Sequence, residues 1–579
     1  MSESHATTGD VSGDRRTVEP VGYWSSFTPK LVIALREGYS AQRFGDDLLA
    51  GLTVAVLALP LSMAIAIGAG TTPDRGLITS VVAGFFISAL GGSRYQIGGP
   101  AAAFVVIIAT VVDRHGYAGM LTATFLAGLI LIAAALLKLG TYIKYIPGPV
   151  ILGFTSGIGI VIAIGQVKDF LGLSGAVPAE IVHKVARLWE LRDTVNGAAL
   201  AVGLTTLAII GLMRAWRPAW PGLLVAVVVA SGAAWLLGLS VDTIGSRFGG
   251  IPSALPAPQL PDLSWHMISS VLPSAFTIAF LVGVESLLSA VAADAKTGGR
   301  HRSNVEVLAQ GIANVASPLF GGLPATGVIA RTGTNITAGG KTPVSGILHA
   351  LFILLGMVFL APLAAHLSLA CLAAVLLSVS WRLIDWHEVT SYLRRAPLDD
   401  RIILTATLTL TVLVDLNVAI AVGVVLACML FMHRMAQVSG GGFGNGFDTD
   451  FDDQQPRSAI ATLPLPPGIS VYHLRGPLFF GGASEIAGAV ANVGQWPKAL
   501  ILRMRDVPLV DATALSALED LAAACTRRGC RLIISGLQKQ PRRAMHRMGF
   551  LRRHKVLLAS NSWVALEKAK AHVGIDTAR

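Results

Sequence analysis

Residues 96–106 read QIGGPAAAFVV, and residues 321–335 read GGLPATGVIARTGTN. Each stretch sets Gly and Pro directly ahead of a helix-forming run: Gly98, Gly99 and Pro100 in the first, Gly321, Gly322, Pro324, Thr326 and Gly327 in the second. Gly and Pro there leave the first N–H groups of the helix unpaired. In a low dielectric such groups attract an anion, and the helix dipole adds to the attraction. Two such N-termini facing each other at mid-membrane would cradle a small anion. The plainer alternative is that Gly and Pro only break or kink the helices.

The surrounding chain places both stretches in lipid. Of 579 residues, 53% are hydrophobic and only 14% charged, and the mean hydropathy is +0.64. A soluble surface usually needs about a quarter of charged residues. Apolar runs near the ~20 residues of a spanning helix occur around 48–68, 76–92, 118–139, 148–167, 195–213, 218–238, 267–291, 304–320, 343–365, 367–381, 402–416 and 417–436. Two shorter runs, about 99–112 and 326–338, complete a set of fourteen. They are the third and the tenth. Short, interrupted segments at matching places in two halves are the sequence mark of a transporter site at the midplane. With seven segments per half, the second repeat must be inverted relative to the first.

The net charge of +11 reads as topology rather than nucleic-acid binding, because Lys and Arg gather in short loops. With the N-terminus inside, fourteen of them fall on the cytoplasmic side and seven on the outer side, in line with the positive-inside rule. Both termini are then cytoplasmic, in a plasma (inner) membrane. Residues 1–46 read as a cytoplasmic segment without a signal peptide, whose part 31–46 could lie at the interface. Residues 47–436 read as the membrane domain and 437–456, rich in Gly and Asp, as a linker. From 457 to 579 short β-type runs (ISVYHL, PLFF, ALILRM, RLIISG) alternate with helical stretches at 484–493, 512–528 and 538–548. That pattern predicts a small soluble α/β domain. In VPLVDATALSAL a strand ends at Val510 and Asp511 caps the helix that follows. The four cysteines suggest neither a metal site nor a disulfide framework, and no cofactor motif is present.

Isolated charges in apolar runs are costly and functional by default. Arg331, one turn past Gly327, is predicted to sit beside the anion, the alternative being a snorkelling or structurally paired Arg. Glu285 lies within SAFTIAFLVGVESLLSAVAADA. Burial disfavours the charged form of a carboxyl group, so this residue could exchange a proton or otherwise hold Na⁺. Ser289, one turn on, could ligate either ion. The alternative for Glu285 is a structural pair, with Arg331 itself as a candidate partner. Asp294 reads as structural, and Thr332, Thr334 and Asn335 carry little weight because such side chains commonly satisfy their own backbone.

At these residues the chain resembles the sulfate permease family, also called solute carrier family 26. DDLLAGLTVAVLALPLSMAIAIGAG is similar to the family's opening pattern, IGGPAAAFVVI to its third-segment motif, and VESLLSAVAADAKTG with NVEVLAQGIANVASPLFGGLPATGVIARTGTN to its eighth to tenth segments. The tail resembles a STAS domain. The resemblance covers about residues 40–572. It implies an all-α polytopic membrane domain of fourteen segments in a seven-plus-seven inverted repeat, with core and gate parts, plus a STAS domain. It further implies an elevator-like motion, a homodimer, and a substrate site built by Gly99, Pro100, Ala101, Ala102, Thr326, Gly327, Val328 and Arg331. Leu61 follows Pro60 where many members carry Gln. Ala101 and Ala102 stand where Thr-Gly is common, so the cradle is poor in hydroxyls. The positions matching the sodium ligands of bicarbonate carriers are Glu285, Ser289 and Ile329, and Ile cannot ligate Na⁺, which favours H⁺. Ala512 follows Asp511 where related STAS proteins carry a phosphorylatable Ser.

The leading expectation is therefore no enzyme but a secondary anion transporter, a proton symporter for sulfate, bicarbonate or a dicarboxylate, without cofactor or metal. An uncoupled channel or exchanger of the same fold is the alternative, and a signalling protein with the STAS domain as output ranks last.

Overall fold

The computed structural model describes residues 27–575 apart from 142–146, 179, 217–220, 415, 439, 445–446, 449–461, 464, 480–495 and 555. The chain forms two compact units, Met1–Val424 and Val425–Arg579. The helix expected at 484–493 and most of the expected linker lie outside the described residues.

Each expected apolar run of the membrane domain contains a helix among the described residues, the last of them crossing into the second unit. A short α1 (Lys30–Arg36) precedes α2 (Ala41–Gly68), α3 (Pro73–Leu90), α4 (Val105–Leu136), α5 (Gly148–Leu171), α6 (Ile181–Glu190), α7 (Gly197–Trp216), α8 (Gly222–Leu236) and α9 (Ile244–Phe248). Then come α10 (Trp265–Thr297), α11 (Ser303–Leu319), α12 (Ile329–Thr337), α13 (Val344–Ala364), α14 (Leu369–Leu383), α15 (Trp386–Arg395), α16 (Leu398–Leu413) and α17 (Leu416–Val438). Among the described residues, eight helical stretches are long and apolar enough to cross a membrane; the chain is a multi-pass membrane protein.

One boundary differs from the expectation. Residues 41–46, read as part of an interfacial segment, open α2 instead: Ser40 is extended and its side chain accepts from Arg43 N, so the helix starts there. The third and fourth segments, read as separate, follow one another within α4 and are divided there by a non-helical kink at Gly116 (φ 68°, ψ −179°), so two helices meet at that point. The kink falls inside the polar DRHGY stretch, between the two expected runs.

The helices group into two bundles. α2 packs on α3 and α13, and α4 on α10 and α11, while α5 packs on α14 and α16, and α7 on α8 and α14. A fully buried carboxylate ties α2 to the turn between α12 and α13. Asp47 accepts from Lys341 N (2.7 Å), Thr342 N (3.1 Å), Thr342 Oγ1 (2.6 Å) and Tyr39 Oη (3.0 Å). Burial, with the Asp47 carboxylate as partner, pushes the Tyr39 hydroxyl up to about 12, so it remains a donor at any physiological pH. A second such staple is Glu306 in α11, which accepts from Gly92 N (2.9 Å), Ser93 N (3.1 Å) and Gln310 Nε2 (2.9 Å).

The second unit holds a five-stranded sheet of β3 (Gly440–Gly444), β6 (Ile469–Arg475), β7 (Ala499–Asp506), β8 (Arg531–Ser535) and β9 (Leu557–Ala559), in that order. β3 runs antiparallel to β6 and the others are parallel. A separate small pair joins β4 (Phe447–Asp448) to β5 (Thr462–Leu463). Alternation sends Ile469, Val471, Ala499 and Ile501 to a core with α21 (Ser562–Val573). Tyr472, Leu474, Leu500 and Leu502 face the other core, with α18 (Ala512–Arg527), α19 (Lys539–Arg547) and α20 (Phe550–Arg553). Both faces covered by helices is how parallel strands are normally buried. Asp511 caps α18, accepting from Ala514 N at 2.8 Å. Gly440–Gly444, within the stretch read as a linker, is an edge strand, and Leu478 in the expected PLFF strand makes only an isolated bridge to Val510.

Candidate functional site

The two interrupted stretches meet. β1 (Gly98–Gly99) and β2 (Thr326–Gly327) pair antiparallel, Gly98 opposite Gly327 and Gly99 opposite Thr326. Val328 N donates to Ile97 O at 2.9 Å, extending the ladder by one bond. Beyond β1 the chain turns through Ala102–Phe104 into α4, and beyond β2 it enters α12 at Ile329. Neither start has a side-chain cap; Phe104 N and Val105 N are spent on Ala101 O and Ala102 O, so the amides that open the Ala102–Phe104 turn and α12 are the ones that call for another acceptor. Ala102 and Val328 are half-buried, and Ile329 and Ala330 exposed, at this junction; Gly99, Pro100, Ala101 and Gly327 are buried in it.

Close approach explains the glycines. A Cβ on Gly327 would overlap the Gln96 side chain, and a Cβ on Gly99 would overlap the Arg331 guanidinium. Gln96 Nε2 in turn donates to Ser286 O (3.1 Å), and Thr326 Oγ1 donates to Val282 O (3.2 Å). Two successive turns of α10 thereby brace the paired strands. Thr326 consequently spends its hydroxyl on α10.

Arg331 is 4% exposed and lies between the two helix starts. Its guanidinium donates to Ser62 Oγ (2.9 Å), Ser80 Oγ (3.1 Å) and Pro100 O (3.4 Å). All three acceptors are neutral, so the positive charge is positioned but not cancelled. Glu285 does not pair with it. The Glu285 Oε2 atom is buried with no hydrogen-bond partner, on the same stripe of α10 as Val282, Ser286 and Ser289. Ser289 Oγ donates to Thr332 Oγ1 (3.2 Å), which also accepts from Ile97 N (3.1 Å). Ser289 thus braces α12 rather than reaching Glu285. Asn335 Nδ2 donates to Tyr95 O (2.9 Å), and Thr334 Oγ1 returns to Ala330 O (2.9 Å). Asp294 accepts from His301 N (2.9 Å) and Nδ1 (2.7 Å), a local structural role.

A cavity of about 350 Å³ reaches Arg331 between the two bundles. Its walls come from α2 (Val54, Ala58, Leu61), α12 (Ala330, Thr334), α7 (Arg214), α8 (Leu223) and α14 (Ser378, Arg382). Three arginines and no carboxylate line it. Of the residues expected to bind substrate, only Arg331 lines this cavity; the others form the junction behind it. Sequence reasoning passed over Ser62, Ser80 and Gln96, single polar residues of ordinary kind in apolar helices, and left Arg214 and Arg382 as topology signals at helix ends.

The sulfate permease family model matches residues 44–407. The chain belongs to the sulfate permease family. The STAS domain model matches residues 461–561, so the second unit is a STAS domain. The chain is 40% identical to the "Putative sulfate transporter YvdB" of Bacillus subtilis over 90% of this chain and 96% of that protein. It is 34% identical to the "Bicarbonate transporter BicA" of Synechocystis over 87% and 90%. The solved transmembrane domain of a cyanobacterial BicA superposes with a TM-score of 0.60 at 35% identity, covering 66% of this chain and 98% of that one. Murine Solute Carrier 26 family member A9, in its inward-facing state, gives 0.84 at 18% identity over 98% and 100%, a likeness of fold. Members of the family are transporters, not enzymes.

Proposed function

We propose that the protein is a secondary active carrier of small oxyanions or carboxylates, of the sulfate, bicarbonate or dicarboxylate class, coupled to protons. The carrying observation is the junction of β1 and β2: two uncapped helix starts held head to head, with the Arg331 charge between them uncancelled by any carboxylate. Gly99, Pro100, Ala101, Ala102, Thr326, Gly327 and Val328 shape the cradle through backbone, and Arg331 supplies charge. The arginine-lined cavity favours entry of an anion from the side where α7 and α14 end.

Glu285 is the proton carrier in this reading. An enclosed carboxylate oxygen without a partner is an expensive charge, and a proton removes it. Ile329 at the junction offers no ligand to Na⁺. The grouping of α2–α4 and α10–α13 apart from α5, α7, α8, α14 and α16 supports core and gate parts and an elevator-type stroke between them. The antiparallel meeting of the third and tenth segments supports the inverted seven-plus-seven repeat. A homodimer in a plasma membrane, with both termini cytoplasmic, completes the reading on charge distribution and family resemblance.

Purified protein in liposomes, offered sulfate, bicarbonate and a C4 dicarboxylate in turn, tests it. One of these should accumulate when the external side is more acidic. Uptake that ignores the pH gradient but requires an internal counter-anion would make the protein an exchanger.

A further inference from the structure

α19 of the STAS domain carries Lys539, Arg542, Arg543, His546 and Arg547. The spacing i, i+3, i+4, i+7, i+8 puts all five on one face. Pro541 and Met545 are buried on the opposite face, and the five basic side chains are exposed and surround a concavity of about 460 Å³. None of them takes part in an ion pair among the described residues, whereas Arg553, a few residues on, is paired with Glu519 at 2.7 Å. The sequence amplifies this: from Leu521 to Leu566 there are ten Lys and Arg and no Asp or Glu. So concentrated a charge, left without counter-ions in its own domain, is complementary to a dense array of phosphates.

We infer that the basic face of α19 docks on anionic phospholipid headgroups at the bilayer surface. The chain itself argues for this partner. Only about thirty residues separate the end of α17 at Val438 from the first parallel strand at Ile469, so the domain cannot leave the neighbourhood of a membrane, and the local concentration of headgroups is correspondingly high. Basic clusters of this size on a helix of a membrane-tethered domain have the charge that anionic lipid recognises, each cation strengthening docking roughly fivefold. Met548, 45% exposed directly after Arg547, gives the face an apolar edge suited to the interface.

The test uses the full chain in nanodiscs, with an environment-sensitive fluorophore on Met548→Cys in a Cys428→Ser background and a quencher carried on the lipid headgroups. Quenching should be several-fold stronger when phosphatidylglycerol is added to phosphatidylcholine than in phosphatidylcholine alone. It should fall to the neutral level in Arg542→Glu/Arg543→Glu, in the milder Arg542→Gln/Arg543→Gln, and in the unsubstituted face as ~1 M salt shortens the screening length to ~3 Å. Equal quenching in both lipids would overturn the inference. So would quenching that survives high salt, or a label that responds to soluble polyphosphate or RNA and not to phosphatidylglycerol; the last result would assign the face to a soluble polyanion.

Discussion

Arg331 and Glu285 carry opposite charges into the same bundle and do not neutralise each other. Arg331 is held by Ser62, Ser80 and a carbonyl, and Glu285 keeps an unpartnered oxygen. Contacts to a charged group are worth roughly 1.5–3 kcal/mol, so Arg331→Gln should weaken anion binding by roughly ten- to a hundredfold, read as the half-saturating concentration for liposome uptake. Glu285→Gln should leave folding and passive anion exchange intact while abolishing accumulation driven by a pH gradient; undiminished accumulation would clear Glu285 of the role. Both residues were legible in the sequence because a lone charge in an apolar run is conspicuous. Their neighbours were not. A serine such as Ser62 in PLSMAIAIG is ordinary in a membrane helix, and only the fold shows that its hydroxyl reaches Arg331 across 269 positions of sequence. Ser289 was legible as a neighbour of Glu285 on one helix face, and only the fold shows that its hydroxyl donates to Thr332.

At the scale of elements, the account rests on β1 and β2 staying paired. Gly327→Ala drives a methyl into Gln96; overpacking of this kind costs about 1–3 kcal/mol or more. It should lower the melting temperature in detergent and abolish uptake, and Gln96→Ala in the same chain should relieve part of the loss. The turn after α12 has its own anchor. Asp47→Ala strips partners from the buried Thr342 amide and hydroxyl and from the part-buried Lys341 amide, at about 1–3 kcal/mol for each buried group left unsatisfied, and should unfold the protein at markedly lower temperature than Asp47→Asn. Gly and Pro ahead of helical runs made the two broken segments readable. The break between the third and fourth segments was readable too, because the polar DRHGY stretch interrupts the apolar run where Gly116 leaves the helical conformation. The GGGFG strand was unreadable: its residues have poor strand propensity, and its place comes from register with β6.

At the scale of the molecule, composition alone dictated lipid, and the change of pattern after residue 457 dictated a second domain. The division of the helices into two bundles was not written in hydropathy, since every apolar run looks alike to a membrane; it came from the resemblance and from the packing. The most direct test of the central claim is a structure determined with the transported anion bound, once liposome uptake has named it. The account predicts the anion at the β1–β2 junction, within hydrogen-bond reach of the amides that open the Ala102–Phe104 turn and α12 and within a few ångströms of Arg331. An anion held elsewhere in the membrane domain, with that junction vacant at saturating concentration, would contradict it.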